Sequence, residues 1–229
     1  MNIFGLQKTT LVDYPGHVAA TLFTGGCNFR CPYCQNKDLV LTPNNIEPYT
    51  HDEIFEFLNK RVGILEGVVI TGGEPTLHSD LPDFIRDIKS LGYLVKLDTN
   101  GSNPDMLINL CNDKLIDYVA MDIKQCPDKY NEVACMSNFD FEKISASVDF
   151  LLSNNIDYEF RTTVPAELFS ENDFRDIGKW IAGARKYFLQ PYRESEGVIN
   201  PIFTAPKAET LETYIKILQE SIETVETRG

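Results

Sequence analysis

Three cysteines fall within the run Gly25-Gly26-Cys27-Asn28-Phe29-Arg30-Cys31-Pro32-Tyr33-Cys34. The spacing is Cys-x3-Cys-x2-Cys, and it directly follows the apolar stretch 18–23. Three thiolates on one tight loop can hold three irons of a [4Fe–4S] cube, and a fourth cysteine normally closes such a cluster. The next cysteine is Cys111, far along the chain. One iron would therefore keep an open position, where a metal site binds a reactant instead of only passing electrons. Structural zinc fits less well, because it wants four closed ligands and no histidine is interleaved here.

The elements that must position this loop alternate. Short apolar strands are expected at 18–24, 67–71, 93–98, 118–123, 158–164 and 186–190, with amphipathic helices at 50–61, 81–91, 104–112, 141–154 and 171–182. Thr50-His51-Asp52-Glu53 has the form of a capping box, and Ser170-Glu171-Asn172-Asp173 is similar, with an acidic first turn. Strand–helix alternation implies βαβ units, right-handed crossovers and a parallel sheet. Six units are too few for a full eight-stranded barrel, so the expected fold is α/β, an open (β/α)6 partial barrel. Chemistry in such folds lies at the carboxyl ends of the strands, where the cysteine loop follows the first of them. Residues 1–206 are expected to form one domain. Residues 207–229 would add a helix over about 208–227, with Leu211, Tyr214, Ile215, Leu218 and Ile222 at helical spacing. That helix would cover the sheet or the open barrel edge, or dock a partner.

Bulk properties narrow the classes. The 229 residues can bury about 70% of their unfolded surface. Net charge is 21 − 34 = −13, which argues against nucleic acid or an anionic membrane as partner. No apolar run approaches the length of a membrane helix, and the first residues lack the blocks of a signal peptide. Half of the six cysteines are clustered too tightly for a disulfide framework, so a reducing cytoplasm is expected.

Further candidates stand at strand ends. Thr71-Gly72-Gly73-Glu74-Pro75 joins two glycines, which permit close backbone approach, to an acid that suits a cationic amino group. Leu97-Asp98-Thr99-Asn100-Gly101 and Met121-Asp122-Ile123-Lys124 end apolar strands in acids that need partners. Asp98 or Asn100 could cap a turn, and Asp122 could pair with Lys124. Arg161, inside an apolar strand, wants an anion, either a ligand or Glu159 or Asp157.

The cysteine spacing resembles the radical S-adenosylmethionine (radical SAM) family. That resemblance implies a cluster whose open iron is chelated by the methionine end of SAM, and release of a 5′-deoxyadenosyl radical on reduction. Such chemistry belongs to the cofactors, and the protein orients them. By the same resemblance Cys27, Cys31 and Cys34 hold the cluster. Tyr33 meets the adenine through its backbone, and Gly72, Gly73 and Glu74 receive the SAM amino group. Asp-Thr-Asn-Gly followed by Asp-x-Lys further resembles the glycyl-radical-enzyme activases, such as the pyruvate formate-lyase activating enzyme. In that branch Asp98, Thr99 and Asp122 would lie beside the SAM carboxylate and hold a monovalent cation. Asn100, Lys124, Arg161 and Gln190 would line the SAM pocket, with Lys124 there or near the docked substrate loop. Phe188-Leu189-Gln190-Pro191-Tyr192-Arg193 is similar to an activase segment that ends in His, but here the last residue is Arg193. Asp13, in Leu11-Val12-Asp13-Tyr14-Pro15-Gly16, would contact the glycine loop of the substrate or cap a turn.

Residues 35–71 contain no cysteine, so the ferredoxin-like insertion of some activases is absent, and Cys111, Cys126 and Cys135 are read as structural or incidental thiols. The wording from Phe4 to Gly16 resembles proteins labelled anaerobic ribonucleoside-triphosphate reductase activating proteins. The resemblance thus implies an activase for a glycyl radical enzyme, anaerobic ribonucleotide reductase first and pyruvate formate-lyase next, with flavodoxin or ferredoxin as electron donor. The competing classes are a 7-carboxy-7-deazaguanine synthase-like enzyme acting on a small molecule, and a simple electron-transfer protein.

Overall fold

A computed structural model describes residues 1–153 and 156–228. Its contacts group the chain into two compact units. The first comprises Met1–Asn28, Asp38–Thr99 and Asn103–Val119; the second comprises Phe29–Lys37, Asn100–Ser102 and Ala120–Gly229.

In the first unit, β1 (Ile3–Thr10), β2 (Ala19–Thr24), β3 (Gly67–Gly72) and β4 (Leu94–Thr99) are neighbours in that order. The parallel pairs are in close register, with Ala19 opposite Gly67, Thr24 opposite Gly72, and Gly67 opposite Leu94. Consequently β2 and β3 end at one level, and the loops that leave them, carrying Cys27 and Glu74, leave from the same end. Helices α1 (Lys37–Leu41), α2 (His51–Asn59), α3 (Leu81–Ser90) and α4 (Pro104–Asn112) alternate with these strands. The expected capping box opens α2, where the Thr50 hydroxyl accepts from the Glu53 amide and the Glu53 carboxylate accepts from the Thr50 amide. Ala20, Leu22, Val68, Ile70, Val95 and Leu97 are fully buried and give the sheet an apolar face by strand alternation.

Strand β5 (Tyr118–Asp122) has residues in both units. The second unit continues with α5 (Tyr130–Ala134), α6 (Phe141–Ser153), β6 (Asp157–Val164), α7 (Glu171–Trp180), β7 (Lys186–Pro191), α8 (Ala208–Leu218) and β8 (Thr224–Thr227). There β6 pairs with β7, and β7 with β8, all parallel. Asn154, the last residue of the helix expected at 141–154, lies outside the described residues.

Two expectations need correction. The strand β1 was not foreseen, and it pairs antiparallel with β2. The C-terminal helix ends at Leu218, not near 227, and Thr224–Thr227 turns into a strand on β7. Helical spacing runs on to Ile222, but β-branched Thr224 and Val225 gain more from pairing with Lys186 and Tyr187. The helix does pack, since α8 lies on α7 with the Phe174 and Tyr214 rings 4.2 Å apart.

Asp173 anchors this region. Its carboxylate accepts from Lys129 Nζ (2.7 Å), the Ser170 amide (2.8 Å), the Ser170 hydroxyl (2.7 Å) and Cys126 Sγ (3.4 Å). Burial alone would raise its pKa, but these donors outweigh it and hold the carboxyl below its ordinary value. A depressed carboxylate stabilises the fold above its unfolded pKa, and that contribution disappears as pH falls through the folded value. Asp173→Ala should cost about 2–3 kcal/mol in urea unfolding at neutral pH, from a lost cap and unmatched donors. The deficit relative to wild type should shrink as the pH is lowered below the ordinary carboxylate range. An equal deficit at all pH values would contradict this assignment.

Candidate active site

In the first unit the Gly-Gly-Glu turn is bonded to the segment that leads into the cysteine loop. The Gly73 amide donates to Thr24 O (2.9 Å), and the Glu74 amide donates to Gly26 O (2.8 Å). Such an approach leaves no room for side chains. Gly72 has φ of +115°, and a Cβ there would lie 2.4 Å from the Thr24 backbone. A Cβ on Gly73 would lie 1.8 Å from Gly26 O. The two glycines are thus required by main-chain contact, which ties the end of β3 to the residues just before Cys27.

Glu74 is buried, and its Oε1 accepts from the Thr76 amide (3.1 Å), the Thr76 hydroxyl (2.6 Å) and the Thr99 hydroxyl (2.8 Å). This carboxylate therefore joins the end of β3 to the end of β4. One step back on β4, Lys96 Nζ lies 2.5 Å from Asp98 Oδ1. Lys96 was not foreseen as a site residue, although its position two residues before Asp98 puts both on one face of the strand. His78 is half-buried, and its Nε2 lies 3.1 Å from Gly25 O, where it steadies the same segment. Asp13 is held by Thr21, whose hydroxyl donates to Oδ2 at 2.7 Å, three residues short of the carboxyl end of β2. The turn itself is capped by Thr10, which accepts from the Val12 and Asp13 amides.

In the second unit, residues 29–37 are clamped by later loops. The Arg30 amide donates to Ala134 O (2.8 Å), Ile199 to Cys34 O (3.0 Å), and Asn200 to Pro32 O (2.8 Å). Cys31 and Tyr33 are buried, and Cys34 is half-buried. Cys31 and Tyr33 share their surroundings with a compact ion group. Asp122 accepts from Lys124 Nζ at Oδ2 (3.0 Å) and from Arg161 Nε at Oδ1 (3.0 Å). Arg161 thus has an anion in Asp122, while Glu159 pairs with Arg228 and Asp157 with Arg185.

These groups shift one another. Burial alone would raise the Asp122 carboxyl, but the Arg161 guanidinium and Lys124 ammonium outweigh it and hold it below its ordinary value. Burial alone would lower Lys124, but Asp122, Cys31 and Tyr33 outweigh it and hold the ammonium well above its ordinary value. Burial pushes the Tyr33 phenol well up against the opposing Lys124 charge. The Tyr33 hydroxyl is buried with no hydrogen-bond partner among the described residues.

Asn100 caps a turn, its Oδ1 accepting from the Ser102 amide (2.9 Å). Gln190 is half-buried on β7, in register with Thr163. The other cysteines stand apart in character. Burial pushes the Cys111 thiol up to about 12, Cys126 bonds Asp173, and Cys135 is exposed at the end of α5. No three His, Cys, Asp or Glu side chains among the described residues gather around a single metal ion. A cube instead takes one thiolate on each of three irons, which is a wider arrangement. No helix among the described residues is long and apolar enough to cross a membrane.

The sequence profile of the Radical SAM superfamily matches residues 21–181. A Methanocaldococcus jannaschii protein with the provisional name glycyl-radical enzyme activating enzyme is 34% identical over 232 residues, covering 99% of this chain and 95% of the relative. The pyruvate formate-lyase 1-activating enzyme of Escherichia coli (strain K12) is 28% identical over 248 residues, covering 95% of each. Among solved structures, a domain of pyruvate-formate lyase-activating enzyme from Bacteroides vulgatus superposes with a TM-score of 0.56 at 18% identity, over 69% of this chain and 98% of that one. The likeness shows the fold, an α/β fold of the type that the alternation of strands and helices led to expect. The chain belongs to the radical SAM superfamily.

Proposed function

We propose that this protein installs a glycyl radical on a partner enzyme, with one [4Fe–4S] cluster and SAM as cofactors. The family implies both groups, and the residues fit them. Cys27, Cys31 and Cys34 are three thiols outside any disulfide, and Cys31 is buried within the charge field of Lys124. Gly72 and Gly73 give bare backbone at the strand end, and the unsatisfied Tyr33 hydroxyl offers a polar contact inside. When bound, the cluster and SAM supply one-electron cleavage of the sulfonium and an adenosyl radical able to take a hydrogen atom.

The chain's residues have the remaining tasks. The three cysteines hold the cluster. The backbone of Gly72 and Gly73, with Glu74 fixing the turn, receives the SAM amino group. Asp98, Thr99 and Asn100 stand toward its carboxylate end. Tyr33 borders the adenine, and Lys124, Arg161 and Gln190 line the pocket. Asp122 fixes the directions of Lys124 and Arg161. Asp13 is assigned to the substrate's glycine loop. No general acid or base is needed, since the hydrogen moves as an atom.

The observation that carries the reading is the pair of hydrogen bonds locking the Gly-Gly-Glu turn to the approach of the cysteine loop. That contact brings the turn and the segment leading into the cysteine loop together at the carboxyl ends of β2 and β3. Activation of a partner, rather than attack on a small molecule, is supported by the Asp-Thr-Asn-Gly and Asp-x-Lys pair and by activating-enzyme relatives matched over 95% of their length. Anaerobic ribonucleotide reductase is the partner we propose, on the wording of residues 4–16, and flavodoxin or ferredoxin the electron donor.

The test is to reconstitute the protein without oxygen, reduce it, and add SAM with that reductase. A glycyl doublet in the EPR spectrum is expected, together with stoichiometric 5′-deoxyadenosine. Slow 5′-deoxyadenosine without a doublet, with this reductase and with pyruvate formate-lyase alike, would overturn the partner assignment.

A further inference from the structure

We propose that the Lys96 ammonium takes the place that the activase resemblance gives to a monovalent cation beside Asp98, so that the protein works without one. The proposal rests on the reading that Asp98 stands at the SAM site.

Lys96 lies in the middle of β4, in register with Val69 of β3, and is 1% exposed. Its neighbours Val95 and Leu97 are fully buried in the opposite, apolar face. A lysine inside such a strand is costly to bury unless its charge is matched. Asp98 matches it at 2.5 Å. The spacing of two residues places the ammonium and carboxylate on one face of one strand, so the pair forms without help from a loop.

A hard cation binds through oxygen: carboxylates, carbonyls and water. Of the groups assigned to it, Asp98 already has a chain-borne positive charge within hydrogen-bond range. A second positive charge there would be repelled by the first. In the second unit, Asp122 is likewise bonded by Lys124 and Arg161. Each assigned carboxylate thus has a cationic side chain of its own. Lys96 supplies what a bound ion would supply at Asp98, a unit positive charge against the carboxylate, but on a covalent stem that cannot exchange with solvent.

The test compares potassium with tetramethylammonium chloride at equal ionic strength, using the anaerobically reconstituted protein. SAM affinity is read by equilibrium dialysis and stability by melting temperature. Wild type is expected to give the same SAM affinity in both salts, within about twofold. Lys96→Ala opens space beside Asp98. It should lose SAM affinity about tenfold in tetramethylammonium, regain most of it in potassium, and melt higher in potassium. Lys96→Met fills that space without charge, so it should lose affinity in both salts.

Wild type that requires potassium for SAM binding would overturn the proposal, and this arm needs no variant to fold. A folded Lys96→Ala protein that is equally impaired in both salts would overturn it too. If Lys96→Ala melts higher in potassium while its SAM affinity never changes, the charge replacement stands and the placement of Asp98 at SAM falls.

Discussion

Replacing Gly73 by alanine is expected to disable the protein while leaving its cysteines intact. The added Cβ would lie 1.8 Å from Gly26 O, and the obstacle is backbone, which cannot swing aside like a side chain. The turn must move. It then loses the Gly73–Thr24 and Glu74–Gly26 hydrogen bonds and carries Glu74 away from Thr99. A displacement of about 1 Å in a positioning element can cost about 100-fold in rate, and that is the fall expected in SAM-dependent 5′-deoxyadenosine formation. Overpacking should also lower stability by about 2 kcal/mol. Gly63→Ala is the control. Gly63 also has a positive φ, +79°, but nothing lies within 4 Å of its Cβ position. It should lose about 1 kcal/mol to backbone strain and keep its activity. A Gly73→Ala protein with wild-type SAM affinity would show that the turn does not position the ligand.

Cys31→Ala has the second large effect. Cys31 is buried in the clamped loop and lies within the charge field of Lys124. Its loss removes one of three cluster ligands. Reconstituted iron should fall well below the about four per chain of a full cube, with loss of the brown colour and of the reduced-cluster EPR signal. Cys111→Ala should change none of these, because a thiol with a pKa pushed up to about 12 stays protonated at neutral pH and is a poor ligand. Unchanged iron in Cys31→Ala would sink the three-cysteine assignment.

The strands that carry the site were legible because each is a short apolar run ending in a polar motif. Strand β4, expected at 93–98, is Leu94–Thr99, and β6, expected at 158–164, is Asp157–Val164. What could not be read were features fixed only by tertiary pairing. Strand β1 contains Gly5 and a polar Gln7-Lys8-Thr9-Thr10 end, and becomes a strand because β2 offers it an edge. Strand β8 has a single buried apolar residue, Val225, and exists by pairing with β7. The ion group had the same obstacle. Sequence neighbours suggested Glu159 or Asp157 for Arg161, while its observed partner, Asp122, is on another strand.

Lys96 differs from these, since a charged residue at the centre of Leu94-Val95-Lys96-Leu97-Asp98 was a visible signal. The alternation rule already set it on the face of Asp98. Glycines 72 and 73 were correctly singled out as places of close approach, but for a ligand. The structure gives them a second reason, contact with Thr24 and Gly26, that no local pattern displays.

The proposed reaction is abstraction of a hydrogen atom from the α-carbon of a glycine on a partner enzyme. Its most direct test uses anaerobic ribonucleotide reductase made with glycine deuterated at the α-carbon, mixed without oxygen with the reduced protein and SAM. The 5′-deoxyadenosine formed should carry deuterium in proportion to the glycyl radical counted by EPR. Unlabelled 5′-deoxyadenosine accompanied by a full glycyl signal would contradict direct abstraction by this protein.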